Sequence, residues 1–540
     1  MKNIITIPSI SHEEATPLVK RLLAVVYSLQ EEIQDLEIVI QSMRDEIAVL
    51  KGEKAKPKFK SSKMDKNTNK DVAEETDNNT KKRAGSEKRC KNMELTIHEI
   101  KVITPKEAIP TGARFKGYRD VVVQGLVIKA HNIRYRLECW QTLDGNLLTG
   151  QLPESLQGHH FDDNLRAYIL YQHHHCHVTQ PLLLEQLREW EIDISVGQID
   201  ALLNNGKELF HNEKDEVLIA GLEVSDFITV DDSGARHMGK NGYVTQIGND
   251  LFAWFSSTGS KSRINFLKCL HAGSISYNIT EEALTYMQEQ GLPVAIHQQL
   301  CLQAPTEIIS FEDWQKHLDN LGIKKARHIL IATEGALIGS LLEKGFNPEL
   351  AIVSDGAGQF AIFLHALCWI HAERLIHKLI PVNDEQREAI ALVRDQIWSL
   401  YADLKAYKKQ PDLTLIPELE SRFTAIFTQS TVYIALNEAL KRLHRHKNEL
   451  LLVLHRPDIP LHTNGSETDI RDFVKKRKVS GGTRSDLGRQ CRDTFASLKK
   501  TCRKLGISFW KYLQDRISLT NNIQSLSTII RNTAIAGASP

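Results

Sequence analysis

The sequence has few cysteines, and none are paired. Cys90, Cys139, Cys176, Cys269, Cys301, Cys368, Cys491 and Cys502 are scattered over 540 residues without a single C-x-x-C spacing. That excludes the disulfide framework of a small secreted domain and points to reduced thiols in the cytoplasm. No run of 18 uninterrupted apolar residues occurs, so no membrane span is expected. The opening MKNIITIPSISHEEATP carries acids and no long apolar stretch, unlike a signal peptide. Charge of one sign is also missing, because 68 Lys and Arg stand against 67 Asp and Glu, so composition alone does not mark a nucleic-acid binder.

What is present is length and pattern. A chain of 540 residues exceeds one compact core and implies two to four domains. Residues 18–51 carry the strongest periodicity. Leu22, Leu29, Leu36, Met43 and Leu50 recur every seventh residue, and Val26, Ile33, Ile40 and Ile47 recur between them. β-Branched residues at one seam position and mostly Leu at the other favour a parallel two-stranded coiled coil, hence a homodimer through residues 22–50. From 52 to 92 the pattern dissolves into Lys, Asn, Thr, Glu and Asp. Between Lys51 and Lys91 there are fourteen basic and seven acidic residues. Such a stretch lacks the apolar surface to offset its ordering entropy, so a disordered basic linker able to follow a phosphate backbone is expected.

Residues 93–220 read as a mixed α/β DNA-binding region. Val121 to Ala130 and Ile133 to Cys139 are strand-like, and helices are expected near Asp162–His173 and Pro181–Trp190. Another should start at Ser195, with Ile199, Leu202 and Leu203 on one face. The last two helices with the turn at Glu191–Ile194 have the outline of a helix-turn-helix. The tract His173, His174, His175, Cys176, His177 pairs only His173 with His177 at helical spacing, with Cys139 the only nearby partner, so structural zinc is not expected.

Further on, SDFITVDD is a short apolar strand ending in two carboxylates, and YVTQIGN and LFAWFSS read as the next two strands. A three-stranded meander ending its first strand in an acid fits the opening of a ribonuclease-H-like fold. Asp231 closes the strand and Asp232 enters the turn, so Asp231 is the favoured ligand and Asp232 the reserve. HILIATEG and ELAIVSDGAGQF each look like a buried strand followed by a glycine turn. Asp355 stands at the C-terminal end of AIVSD, where parallel α/β sheets place ligands. The apolar helix AIFLHALCWIHAERLIHKLI is expected next. In IPLHTNGSETDIRDFVKKRK, Ser466 is a candidate helix cap with Asp469 three residues on. Glu467 then falls in the first turn, either offsetting the dipole or joining the carboxylates. The basic run over 471–492 supplies candidate DNA contacts at Lys475, Lys476, Arg477, Lys478, Arg484 and Arg489. Phosphodiester hydrolysis and strand transfer need two divalent ions about 4 Å apart, and oxygen ligands suit Mg²⁺ or Mn²⁺.

These segments resemble the bacterial DDE transposases of the insertion sequence 66 type. VDDSGAR at 230–236 is similar to the segment with the first catalytic Asp, at Asp231, and SDG at 354–356 to that with the second, at Asp355. CWIHAER at 368–374 and IPLHTNGSETDIR at 459–471 are similar to two further family segments, the latter carrying the catalytic Glu at Glu467. SGGTRSDLG at 480–488 and FWKYL at 509–513 match more loosely. The resemblance implies a ribonuclease-H-like core over 221–515, with an insertion near 262–350 and a tail over 516–540. It also implies a two-ion Mg²⁺ or Mn²⁺ site at Asp231, Asp355 and Glu467, and cleavage at the terminal inverted repeats of an insertion element followed by joining to target DNA. Small accessory proteins encoded beside it and a bacterial, nucleoid-associated location are implied as well. Asp232, His371, Arg374, Asn464 and Arg471 are auxiliary candidates. His371 and Arg374 share a helix at i and i+3, suited to orienting phosphate or a carboxylate, whereas Cys368 and Trp369 are expected in the core. His462 and Thr463 replace family residues before the Glu, and Thr468 replaces an Arg after it. A catalytically idle DNA-binding relative, or a nuclease or resolvase on the same fold, therefore stands as the alternative.

Overall fold

The computed structural model describes residues 96–537 apart from 108, 111, 305 and 306. The heptad segment 18–51 and linker 52–92 lie outside the described residues. The chain divides into two compact units, 1–121 and 122–540. In the first, the described residues 96–121 are exposed and form neither helix nor strand.

The second unit opens without regular structure. The runs expected as strands, Val121–Ala130 and Ile133–Cys139, do not pair except at Cys139. Only β1 (Cys139–Gln141) and β2 (Leu147–Thr149) form a short antiparallel hairpin. β-Branched residues favour extended backbone, but a strand also needs a hydrogen-bonded neighbour and a surface to bury against. Here Val123, Leu126 and Val127 remain exposed.

The helices that follow start where their caps predict. Asp162 accepts from the Leu165 N–H (2.8 Å) ahead of α1 (Asp163–His174). Pro181 sits in the first turn of α2 (Gln180–Glu189). Ser195 and Gln198 close a capping box on α3 (Val196–Asn204), whose Ile199 and Leu203 are buried. α4 (Glu208–Val224) then leads into the sheet.

β3 (Phe227–His237), β4 (Lys240–Gly248) and β5 (Ala253–Thr258) form an antiparallel meander. Five helices intervene, α5 (Arg263–Leu270), α6 (Glu281–Glu289), α7 (Val294–Leu302), α8 (Phe311–Asn320) and α9 (Ala326–Glu343). β6 (Ala351–Ser354) and β7 (His365–Leu367) then add in parallel, giving the order β5-β4-β3-β6-β7. A small mixed five-stranded sheet inside a largely helical molecule is consistent with a ribonuclease-H-like α/β core.

Two segments fold differently from expectation. HILIATEG is not a strand but the first half of α9. A continuous apolar run does not distinguish a buried strand from a buried helix. Here the run extends through Leu341, and Gly335 and Gly339, four residues apart, let α6 pack close. A Cβ on Gly335 would lie 2.7 Å from the Met287 side chain, and one on Gly339 would lie 2.6 Å from the Asn278 carbonyl. The single helix expected over 361–380 is instead β7 followed by α10 (Trp369–His377). His365–Leu367 found a partner strand in β6, and pairing overrode helical propensity.

After α10 come α11 (Asp384–Lys409), α12 (Ile416–Thr428), α13 (Ile434–Arg445) and α14 (Lys447–Leu450), which share a core with Ala351 and Val353 of β6. α15 (Asn464–Ser480) packs on β3, and α16 (Asp486–Lys504) runs along β5. α17 (Phe509–Ile517) and α18 (Leu526–Gly537) close the fold. The stretch 516–540, expected as a tail, thus contains a helix whose Leu526 and Ile530 are fully buried. Among the described residues, no helix is long and apolar enough to cross a membrane.

Candidate carboxylate site

Side chains alternate along β3, and the two faces have different neighbours. Ile228 and Val230 join one large core that includes α9, so Asp232 shares that face. Thr229 points the other way, and its hydroxyl lies 2.5 Å from that of Ser466 on α15. Asp231, two residues on, therefore faces α15, where Glu467 is the next residue after Ser466. The parallel pairing brings Asp355 to the same place. Phe227, Ile228 and Thr229 pair with Ala351, Ile352 and Val353, and continuing that register by two residues sets Asp231 opposite Asp355.

Asp355 leaves the strand in a turn. Its Oδ1 accepts from the Ala357 N–H (3.0 Å), and Gly356 adopts φ +94°, a conformation in which a Cβ would be strained. Asp231 accepts from the Asp232 N–H (2.7 Å). Burial, first, and the negative charges of Asp355 and Glu467 push the Asp231 carboxyl up to about 7.

Glu467 stands in the first turn of α15, but Ser466 is not its cap. The helix begins at Asn464 after Thr463, Ser466 is buried against Thr229, and Asp469 is drawn inward to Lys504 (2.9 Å). Tertiary partners took both side chains that would have built a capping box. Glu467 Oε1 accepts from Arg374 Nη1 (3.1 Å) and lies 3.6 Å from His371 Nε2, and Oε2 accepts from Arg471 Nη2 (3.1 Å). Burial and then the Arg374 charge lower the His371 pKa. Cys368 and Trp369 are buried, as expected. The Trp369 N–H donates to the Leu461 carbonyl (3.0 Å), tying α10 to the segment ahead of α15. The Asn464 N–H faces His462 Nδ1 at 3.5 Å.

Asp232 lies apart from this group. Its Oδ1 accepts from the Thr245 hydroxyl (2.6 Å) and its Oδ2 from Gln359 Nε2 (2.8 Å). Thr245 and Gln359 belong to the site's surroundings and carry no signal in the sequence, because their roles exist only through tertiary contact with β3. Among the described residues, no group of three or more His, Cys, Asp or Glu side chains is arranged as a ready metal-ligand set.

The basic residues divide. Lys475, Lys478 and Arg484 are exposed. Lys476 turns inward, donating to the His173 carbonyl (2.5 Å), and burial brings its pKa down to about 7. Arg477 donates to the Gly234 carbonyl, and Arg489 pairs with Asp486 (2.8 Å). In the His tract, His173 Nδ1 meets the Val178 carbonyl (2.9 Å), His174 is buried against Phe495, and His177 approaches Asp472 (3.5 Å).

The family described as "Transposase IS66 family" matches over residues 340–491, a span that includes Asp355, His371, Arg374 and Glu467. The chain is also 43% identical over 305 residues to the uncharacterized protein y4jO of Sinorhizobium fredii, a match covering 56% of this chain and 95% of that protein. Together these matches support a family-level relationship to the IS66 transposases. No solved structure matches it. The matched span begins near the end of α9 and runs into α16, so it takes in β6, β7 and α15 but not β3 and Asp231.

Proposed function

We propose that this relative of the IS66 transposases is a DDE-type DNA transposase. It would cleave at the ends of an insertion element and join them to target DNA, with Asp231, Asp355 and Glu467 as ligands for two Mg²⁺ or Mn²⁺ ions. What supports the reading is the register that sets Asp231 opposite Asp355 on adjacent strands, with the Thr229–Ser466 contact bringing the first turn of α15, and so Glu467, to the same strand ends. Carboxylate oxygens suit hard divalent ions, and Asp231 and Asp355 have no ion-pair partner of their own among the contacts described above. When bound, such ions activate a water or 3′-hydroxyl and stabilise the leaving oxygen. The chain's own part is to hold Asp231 and Asp355 in register on adjacent strands. It also holds Glu467 between Arg374 and Arg471. Exposed Lys475, Lys478 and Arg484 on and beyond α15 would meet phosphates. Dimerisation through 22–50, accessory proteins of the same element and a bacterial cytoplasmic, nucleoid-associated setting belong to the same proposal.

The test uses the full chain, duplexes bearing the inverted repeats that flank its gene, a target plasmid, and Mg²⁺ or Mn²⁺. End cleavage followed by joined products is expected, and Asp355→Ala should reduce joining by on the order of 10³-fold or more. Joining that persists unchanged in Asp355→Ala would sink the mechanism, and cleavage without joining would favour a nuclease.

A second reading, an idle DNA-binding relative, is favoured by one observation: both Glu467 oxygens are already engaged by arginines. It predicts binding to the ends with no cleavage by the parent chain.

A further inference from the structure

Asp232 sits beside the proposed first ligand yet faces the opposite side of β3, and both of its oxygens are engaged. One donor, the Thr245 hydroxyl, comes from the residue directly across on β4. The other, the Gln359 amide, comes from the turn Gly358–Phe360, four residues after Asp355. A second tie holds the same turn. The Gly358 carbonyl accepts from Arg263 Nη2 (2.8 Å) on α5. Arg263 is itself fixed by the Tyr286 hydroxyl (2.8 Å), which in turn donates to Glu334 (2.6 Å). Phe360 is buried with its ring 4.9 Å from that of Phe266. The short loop from Asp355 to Phe360 is thus fastened to β3 at one point and to α5 at another.

We infer that Asp232 is a positioning residue: it latches the Asp355 loop to strand β3 through Gln359 and is not itself a metal ligand. The inference rests on the metal reading of the site only for its consequence, because the latch is defined by contacts within the chain. A hydrogen bond to a charged acceptor is roughly twice as strong as a neutral one. The span from β3 through Asp232 and Gln359 back to Asp355 closes a small ring around the strand ends. Ligands for paired ions must be held within about 0.5 Å of their working geometry. Asp231 has its own strand to hold it, whereas Asp355 lies beyond the last paired residue of β6 and depends on its loop. Asp232 supplies the restraint that ties this loop to β3, beside the Arg263 tie to α5.

The test is a Mn²⁺ titration of the full chain, read by electron paramagnetic resonance of the free ion, beside amide hydrogen exchange of residues 356–360 in the metal-free chain. Gln359→Ala trims a half-buried side chain outside the sheet, and Asp232→Ala removes its partner. Each should weaken Mn²⁺ affinity by about 10–100-fold and raise exchange across 356–360. Combined, they should be no worse than the worse single variant, because both break one bond. Asp232→Asn keeps an oxygen for Thr245, and the Gln359 amide can turn over to accept from it, so affinity should stay within about tenfold of the parent. Asp231→Asn is the comparison that loses the ion. If Asp232→Asn loses Mn²⁺ as Asp231→Asn does, Asp232 is a ligand and the inference is overturned. Unchanged affinity or unchanged exchange in Gln359→Ala overturns it as well. If the parent chain binds no Mn²⁺, the metal reading fails by itself, and the exchange data alone still decide the latch.

Discussion

Asp231 is held in a state that resists ionisation, first by burial and then by the charges of Asp355 and Glu467, which bring its carboxyl up to about 7. An acid with a raised folded-state pKa favours folding while it is protonated. Its contribution is fully present below the ordinary carboxylate value and is lost as pH rises through about 7. The metal-free chain should therefore lose stability between about pH 4 and pH 7, and Asp231→Asn should lose less. In denaturant unfolding at pH 8 without divalent ions, that variant should exceed the parent by on the order of 2 kcal/mol. Below about pH 4 the difference should shrink toward zero, and a difference that does not vary with pH would remove the repulsion from the argument. Added Mn²⁺ should reverse the order at pH 8, because an ion bound only by the folded parent stabilises it. Lys476 shows the same physics with the opposite sign. Burial takes a residue that the sequence offers to DNA and turns it toward the His173 carbonyl.

At the scale of the element, the association of β5 with α16 accounts for the stability of the sheet's outer edge. An edge strand leaves every second N–H without a strand partner. α16 presents Asp493, Ser497 and Thr501, four residues apart on one face, to just those groups. The Ser257 N–H donates to Asp493 (2.7 Å), the Phe255 N–H to Ser497 (2.9 Å) and the Ala253 N–H to Thr501 (3.2 Å). A helix thus completes the sheet with side chains. Ser497→Ala would leave the buried Phe255 N–H without a partner, and urea unfolding should register a loss of about 1–3 kcal/mol. A loss under about 0.3 kcal/mol would mean that water replaces the hydroxyl there. The serine and threonine are legible in the sequence, yet nothing about RDTFASLKKT says that a strand lies beside them. α15 repeats the lesson. Its first turn reads as a capping box, but Thr229 and Lys504 claimed Ser466 and Asp469.

At the scale of the whole molecule, one set of helices fills the interval between β5 and β6, and another fills that between β7 and α15. Both sets lead the chain back to the same strand ends, so residues far apart in sequence meet at Asp231. The heptads at 22–50 bear on assembly. They predict a dimer, and deleting those residues should reduce the solution mass, measured by light scattering, to that of the monomer. A mass that stays dimeric would place the interface elsewhere.

The sequence by itself determined the starts of α1 and α3, the meander at 227–258, the acid at the end of β6 and the order of motifs that resembles the IS66 family. These are local signals, set by spacing, capping and the alternation of apolar residues. Tertiary structure alone decided that HILIATEG is a helix, that His365–Leu367 is a strand, and that Asp231 rather than Asp232 faces Asp355 and Glu467. The reason lies in what pairing does. Adjacent acids on a strand differ only in the face they present, and which face meets α15 is fixed by Ser466 packing on Thr229, a contact made across 237 residues of sequence.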